Sequence, residues 1–132
     1  MSMFQIVVTS ILCGVVLFVQ VVHYPMFIDY ARDHFSEAMK KHQRLTSWVV
    51  VPLMLAEILL AVGGFATNMY YYFSLVLLAA VWFSTFLLQV PCHKRLSLGW
   101  NEETYTRLVK TNRYRTLAWF SRLICLGAAL GI

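Results

Sequence analysis

Charge is what this chain has least of. Only 13% of its 132 residues are Asp, Glu, Lys or Arg, whereas 60% are hydrophobic. A soluble domain carries roughly 25% charged residues, and a chain this short buries the smallest share of its own surface. The apolar excess must therefore face lipid. Cysteine is scarce too: Cys13, Cys92 and Cys125 stand far apart, with no C-x-x-C. That argues against a disulfide framework, a thioredoxin-like pair or a quinone-linked dithiol enzyme, and leaves the three as small residues packed between helices. No Lys or Arg precedes the first apolar run, and the bulky Val22-His23-Tyr24-Pro25 follows it in place of a small-x-small site. The first segment thus reads as a span, not a cleaved leader. Internal repeats and low-complexity tracts are missing as well.

What is present is a set of long apolar runs. Residues 3–22 and 70–90 hold no charge, residues 46–66 hold only Glu57, and residues 117–132 hold only Arg122. Crossing a bilayer takes roughly 20 apolar residues. The expected fold is an all-α transmembrane four-helix bundle, one domain over 1–132, with spans at about 3–22, 46–66, 70–90 and 112–132. The loop at 67–69 is tiny and uncharged, so the longer loops at 26–45 and 94–116 share one side. They carry every charge except Glu57 and Arg122. Because Lys and Arg stay cytoplasmic, both termini are expected outside and both long loops inside a plasma or inner membrane. The net charge of +5 belongs to this orientation signal, and no nucleic-acid partner is implied. Tyr70, Tyr71, Tyr72 and Phe73 read as an outer aromatic belt, and Tyr24, Trp48, Trp100 and Trp119 as an inner one.

Local signals extend two helices beyond the membrane. Ser36-Glu37 reads as one helix start and Asn101-Glu102-Glu103 as another. The fourth helix is expected to begin near Glu102. Pro52 should kink the second span, because it cannot donate to the helix ladder. Each helix also carries one polar stripe at helical spacing: Thr9, Cys13, Val16, Gln20 and His23; His42, Thr46, Val49, Leu53 and Glu57; Thr85, Gln89 and His93; Asn112, Arg115, Trp119 and Arg122.

Depth singles out one layer. His23 ends the first span, His42 precedes the second by about one turn, His93 ends the third, and Asn112 precedes the fourth by about one turn. Imidazole is the commonest ligand of zinc, copper and iron, and bundle cores build such sites from facing helices. His23, His42 and His93 are therefore the candidate metal or haem ligands. Gln20 and Gln89 are candidate supporting residues for the cofactor. Asn112 and Arg115 are a candidate catalytic pair that orients substrate. Taken singly, each histidine reads as an ordinary interfacial residue, and His34 reads as a loop residue. Glu57 and Arg122 form a second constellation, in the inner to middle part of the bilayer. It reads as a buried ion pair fixing helix register or as an anion or proton site.

The run Val90-Pro91-Cys92-His93-Lys94-Arg95-Leu96, with Asn112-Arg113-Tyr114-Arg115 after it, resembles a pattern in small four-helix membrane proteins of the anthrone-oxygenase-like family. There a V-P-x-N-x-x-L motif ends the third helix and N-x-x-R opens the fourth. His93 stands here where that family more often has Asn. The run Tyr24-Pro25-Met26-Phe27-Ile28-Asp29-Tyr30, with Met39-Lys40-Lys41 and Pro52, is similar in spacing to HemJ-type protoporphyrinogen oxidases, which bind haem. Those carry a histidine early in the first span, and this chain has none there. The resemblances imply a four-helix fold and, by analogy, oxidoreductase chemistry with or without a cofactor.

Two functions are left open at this point. One is a multi-pass oxidoreductase with a His-ligated transition metal or haem near the cytoplasmic face, acting on a lipophilic substrate. The other is a non-catalytic subunit, or a carrier of a small anion or proton, using Glu57 and Arg122. A homo-oligomer is compatible with either, and a third reading is a structural membrane protein with no ligand.

Overall fold

The computed structural model describes residues 3–64 and 68–132. Residues 65–67, where the second predicted span ends and the short loop begins, lie outside the described residues. Four helices run up and down: α1 Met3–Asp29, α2 Phe35–Gly63, α3 Met69–Leu96 and α4 Glu102–Leu130. No strand occurs among the described residues. This is the expected all-α bundle. Helices α1, α2 and α3 are long and apolar enough to cross a membrane, the property of an integral membrane protein. Helix α4 matches them in length, at 29 residues, but its charges are concentrated in its first half.

The helix starts follow side-chain chemistry. Asn101 caps α4 as expected, its Oδ1 accepting from the Thr104 N–H at 2.8 Å. Asn68 caps α3 in the same way, accepting from the Tyr71 N–H at 2.9 Å. Ser36 does not cap α2, whose first residue is Phe35 and whose N-cap position is His34. Its hydroxyl donates instead to the carbonyl of Ser97, tying the two loop ends together.

Helices α1 and α3 share an interruption. Each contains one wide, π-type turn, Val19–His23 in α1 and Thr85–Gln89 in α3. In both, a proline follows two residues later, Pro25 and Pro91. Proline has no N–H, and its ring crowds the carbonyl four residues back. The ladder responds by widening: the Tyr24 N–H reaches Val19 O, and the Val90 N–H reaches Thr85 O.

Packing is layered along the bundle. Helix α4 lies along α3 and α1, α1 also packs on α2, and α2 meets α3 through the segment Val90–Leu96. One apolar cluster contains Leu12, Cys13, Val16, Met54, Leu78, Val81 and Trp119. A second lies at the end with the basic loops, built from Tyr24, Phe27, Phe35, Met39, Leu96, Tyr105 and Leu108. The histidines lie between these two clusters. Trp119 and Tyr71, expected at membrane interfaces, are buried instead. Tyr71 turns inward because its hydroxyl donates to the last carbonyls of α2, Ala61 O at 2.8 Å and Gly64 O at 3.1 Å. Val49, expected on the inner stripe, is 51% exposed. Val50 packs on the core in its place, and Leu53 packs there as expected. Cys13, Cys92 and Cys125 are all free thiols, the first two buried.

Candidate functional site

The three predicted histidines meet. The rings of His23 and His42 stack with centroids 4.3 Å apart, and those of His42 and His93 with centroids 5.7 Å apart. Three helices thus bring one imidazole each to a single spot. The residues before them explain how. His23 closes the wide turn that Pro25 imposes on α1. His93 sits one helical turn beyond Gln89, which closes the wide turn of α3. His42 projects from the second turn of α2, held there because Phe35 and Met39 bury in the second apolar cluster.

Each ring has a distinct set of partners. His93 Nδ1 donates to the Gln89 carbonyl at 2.8 Å, which fixes the tautomer and leaves Nε2 with its lone pair. His42 Nδ1 pairs with the Thr46 hydroxyl at 3.2 Å. His23 Nε2 is enclosed and has no hydrogen-bond partner among the described residues. Phe27 closes the group edge-on, 5.0 Å from the His42 ring and 5.4 Å from the His23 ring. The rings stack face to face. Among the described residues, no group of three or more His, Cys, Asp or Glu side chains stands ready to hold a metal ion in this arrangement.

The amides expected beside the histidines link helices. Gln20 Oε1 accepts from Asn112 Nδ2 at 2.8 Å, joining α1 to α4. Gln89 accepts from the Tyr24 hydroxyl at 3.2 Å and donates to the Thr111 hydroxyl at 2.7 Å, joining α3 to α1 and α4. It is thus the main chain of Gln89, not its amide, that holds His93. Asn112 Oδ1 and Arg115 Nε are both enclosed without a partner. Among the described residues Arg115 reaches only Thr85, Nη1 to Oγ1 at 3.4 Å.

Sequence reasoning missed Tyr24, Gln43 and Thr111 in this layer, while Thr46 stands on the stripe expected to carry His42. Gln43 donates to the His93 carbonyl. Tyr24 read as an interfacial aromatic but is 1% exposed, and its own carbonyl accepts from the Tyr105 hydroxyl at 3.1 Å. Burial, then the nearby charges of Glu102 and Asp29, raise the Tyr105 phenol above its ordinary pKa, so it stays a donor. Nothing local marked Gln43.

Glu57 and Arg122 form the second polar layer. Both side chains are fully buried, with Arg122 Nη2 2.6 Å from Glu57 Oε2. Nε approaches the same oxygen at 3.2 Å, and Nη1 donates to the Ser74 carbonyl at 2.6 Å. The Thr9 hydroxyl meets the other carboxylate oxygen. All four helices contribute. The pair lies about two turns from the bundle end that carries the termini. His34 lies exposed in the first loop beside Asp33, as expected.

Compared with protein-family models, with curated proteins and with solved structures, the chain matches none.

Proposed function

We propose that this is a multi-pass membrane protein whose activity resides in the histidine layer, where His23, His42 and His93 hold a transition metal near the cytoplasmic face. The observation that carries the reading is three imidazoles from three helices within one cluster, one with an enclosed, unpartnered Nε2. An orphaned buried polar atom is costly, and it is relieved by a ligand. Metal-bound histidine ordinarily donates its second nitrogen to a carbonyl or another oxygen group, as His93 does to Gln89 and as Thr46 provides for His42. Ligation requires the stacked rings to turn until their Nε2 atoms converge. His93 is pinned by its Nδ1 bond, so the turning falls to His23 and His42.

A single ion suits the site better than haem, because rings stacked at 4.3 Å leave no slot for a macrocycle between them. A bound metal of this kind would supply Lewis-acid or redox chemistry. The chain's own residues exclude water through the two flanking apolar clusters and present Asn112 and Arg115 to the substrate. Oxidoreduction of a lipophilic substrate is the activity class this reading favours. The Glu57–Arg122 pair is assigned to fixing helix register, since its charges are satisfied by each other, Thr9 and Ser74.

The test is elemental analysis and a visible spectrum on protein purified in detergent without chelator, beside His93→Ala. The expected result is one transition metal per chain, lost in the variant. Wild-type protein that stays metal-free after incubation with zinc, cobalt, iron and copper salts would overturn the reading, and a Soret band would replace the ion by haem.

A further inference from the structure

A cavity of about 450 Å³ lies between α3 and α4, at the end of the bundle that carries the basic loops. Its lining changes character along its length. Leu87, Leu88 and Pro91 form an apolar wall, and Arg95, Glu103 and Arg107 stand around the rest. The register of the two helices explains the order. Gln89 Nε2 donates to Thr111 Oγ1 at 2.7 Å across them, and they run in opposite directions. Arg107 comes one turn before Thr111, so it stands about one turn nearer the loop than Gln89 does. Arg95 and Glu103 are nearer the loop still, while Leu87 and Leu88 are deeper. The deep part of the wall thus belongs to the charge-free run 70–90, and the guanidiniums come just past its end.

That is the level at which a bilayer passes from acyl chains to headgroups. Leu87 is exposed, and on a helix that crosses a bilayer such a side chain meets acyl chains. Among the described residues no carboxylate pairs with Arg95 or Arg107, although Glu103 lines the same cavity. Two guanidiniums against one carboxylate leave the lining with one net positive charge. The planar fork of arginine matches phosphate oxygens, and basic pockets between membrane helices on the cytoplasmic side hold anionic headgroups. A phosphodiester carries a single negative charge, which is the charge this lining lacks.

We propose that this cavity seats one anionic phospholipid of the adjoining leaflet. Its phosphodiester lies between Arg95 and Arg107, and an acyl chain runs along Leu87, Leu88 and Pro91. A zwitterionic lipid brings no net charge to offset the cavity, and a free phosphate ester makes no use of the apolar wall. The site shares no residue with the proposed metal site and stands whether or not a metal binds there.

The experiment is native mass spectrometry of the detergent-purified chain, which resolves single bound lipids. The probes are dioctanoyl phosphatidylglycerol, dioctanoyl phosphatidylcholine as the zwitterionic control, and glycerol phosphate for the head alone. Wild type should bind one phosphatidylglycerol per chain, about fivefold or more tightly than either control. Arg95→Gln and Arg107→Gln should each weaken that binding about fivefold, the effect of one basic residue against an anionic lipid, and leave phosphatidylcholine unchanged. Both arginines are exposed, so these variants keep the fold. The double variant Lys40→Gln/Lys41→Gln, which removes two charges from the other long loop, should bind phosphatidylglycerol as wild type does. Thr104→Trp, on the same lining, fills the cavity without changing its charge and should weaken binding too. Equal affinity for phosphatidylglycerol and phosphatidylcholine would overturn the proposal. So would a loss in the lysine variant as large as in the arginine variants, which would reduce the site to a diffuse basic surface. Glycerol phosphate bound as tightly as the lipid would replace the lipid by a free phosphate ester.

Discussion

At the scale of single residues, the molecule places two arginines of one helix in opposite circumstances. Arg122 is saturated: two of its nitrogens share one Glu57 oxygen and a third reaches the Ser74 carbonyl. Arg115 has, among the described residues, only the long bond to the Thr85 hydroxyl and a buried Nε without a partner. The consequence for Arg122 is a stability prediction. Removing one member of a buried pair strands the other charge, at a cost of about 3–5 kcal/mol. Glu57→Leu and Arg122→Leu should each lower the detergent melting temperature markedly, and the double variant should recover most of the loss. A thermal scan of the four proteins checks this; a double variant no better than either single one would mean the pair contributes more than mutual neutralisation. The pairing was readable as a candidate, because only two charges fall inside the apolar runs.

At the scale of elements, the prolines of α1 and α3 set the register of the histidine layer. Pro25 and Pro91 each follow a wide turn, and each turn ends at or one helical turn before a ring of the cluster. Wide turns recur at functional sites because they re-aim side chains that a regular helix would point elsewhere. Pro25→Ala restores the missing N–H and allows the Val19–His23 turn to close into ordinary α-helix. The expected result is a protein at least as stable as wild type whose metal affinity falls about tenfold, since ligand orientation is worth that much. Metal titration alongside a thermal scan measures both. Unchanged affinity would show that His23 finds its place without the proline. The 3.6-residue pattern predicted that Gln20 and His23 share a stripe, yet it carries no information on a turn that adds a residue to one side of the ladder. That part of the site was invisible to periodicity.

At the scale of the whole molecule, apolar and polar layers alternate along one axis. The cluster around Phe27, Phe35 and Leu108 closes the histidine layer from below, the cluster around Trp119 closes it from above, and beyond that the ion pair crosses all four helices. Such layering makes the polar layer dry, where each hydrogen bond is stronger and each orphan more costly. The basic loops at the histidine end predict its side. Leu98→Cys in the loop between α3 and α4, with Cys13, Cys92 and Cys125 replaced by Ala or Ser, should react with a membrane-impermeant maleimide only after the cells are opened. A cysteine at position 3, at the opposite end, should react in intact cells. The reverse pattern would invert the orientation and put the histidine layer on the outer side.

The sequence by itself determined the class of fold, the four helices, the starts of α4 and its polar face, and the coincidence of three histidines at one depth. It could do so because hydrophobicity, helical period and the rise per residue are local quantities, fixed by composition and spacing alone. Only the tertiary structure decided that Tyr24 and Tyr71 turn inward, that Ser36 ties loops instead of capping a helix, and that Arg115 has no carboxylate partner among the described residues. Those outcomes depend on which carbonyl, carboxylate or ring another helix brings within reach. That is settled by helix rotation and packing, which no single segment encodes.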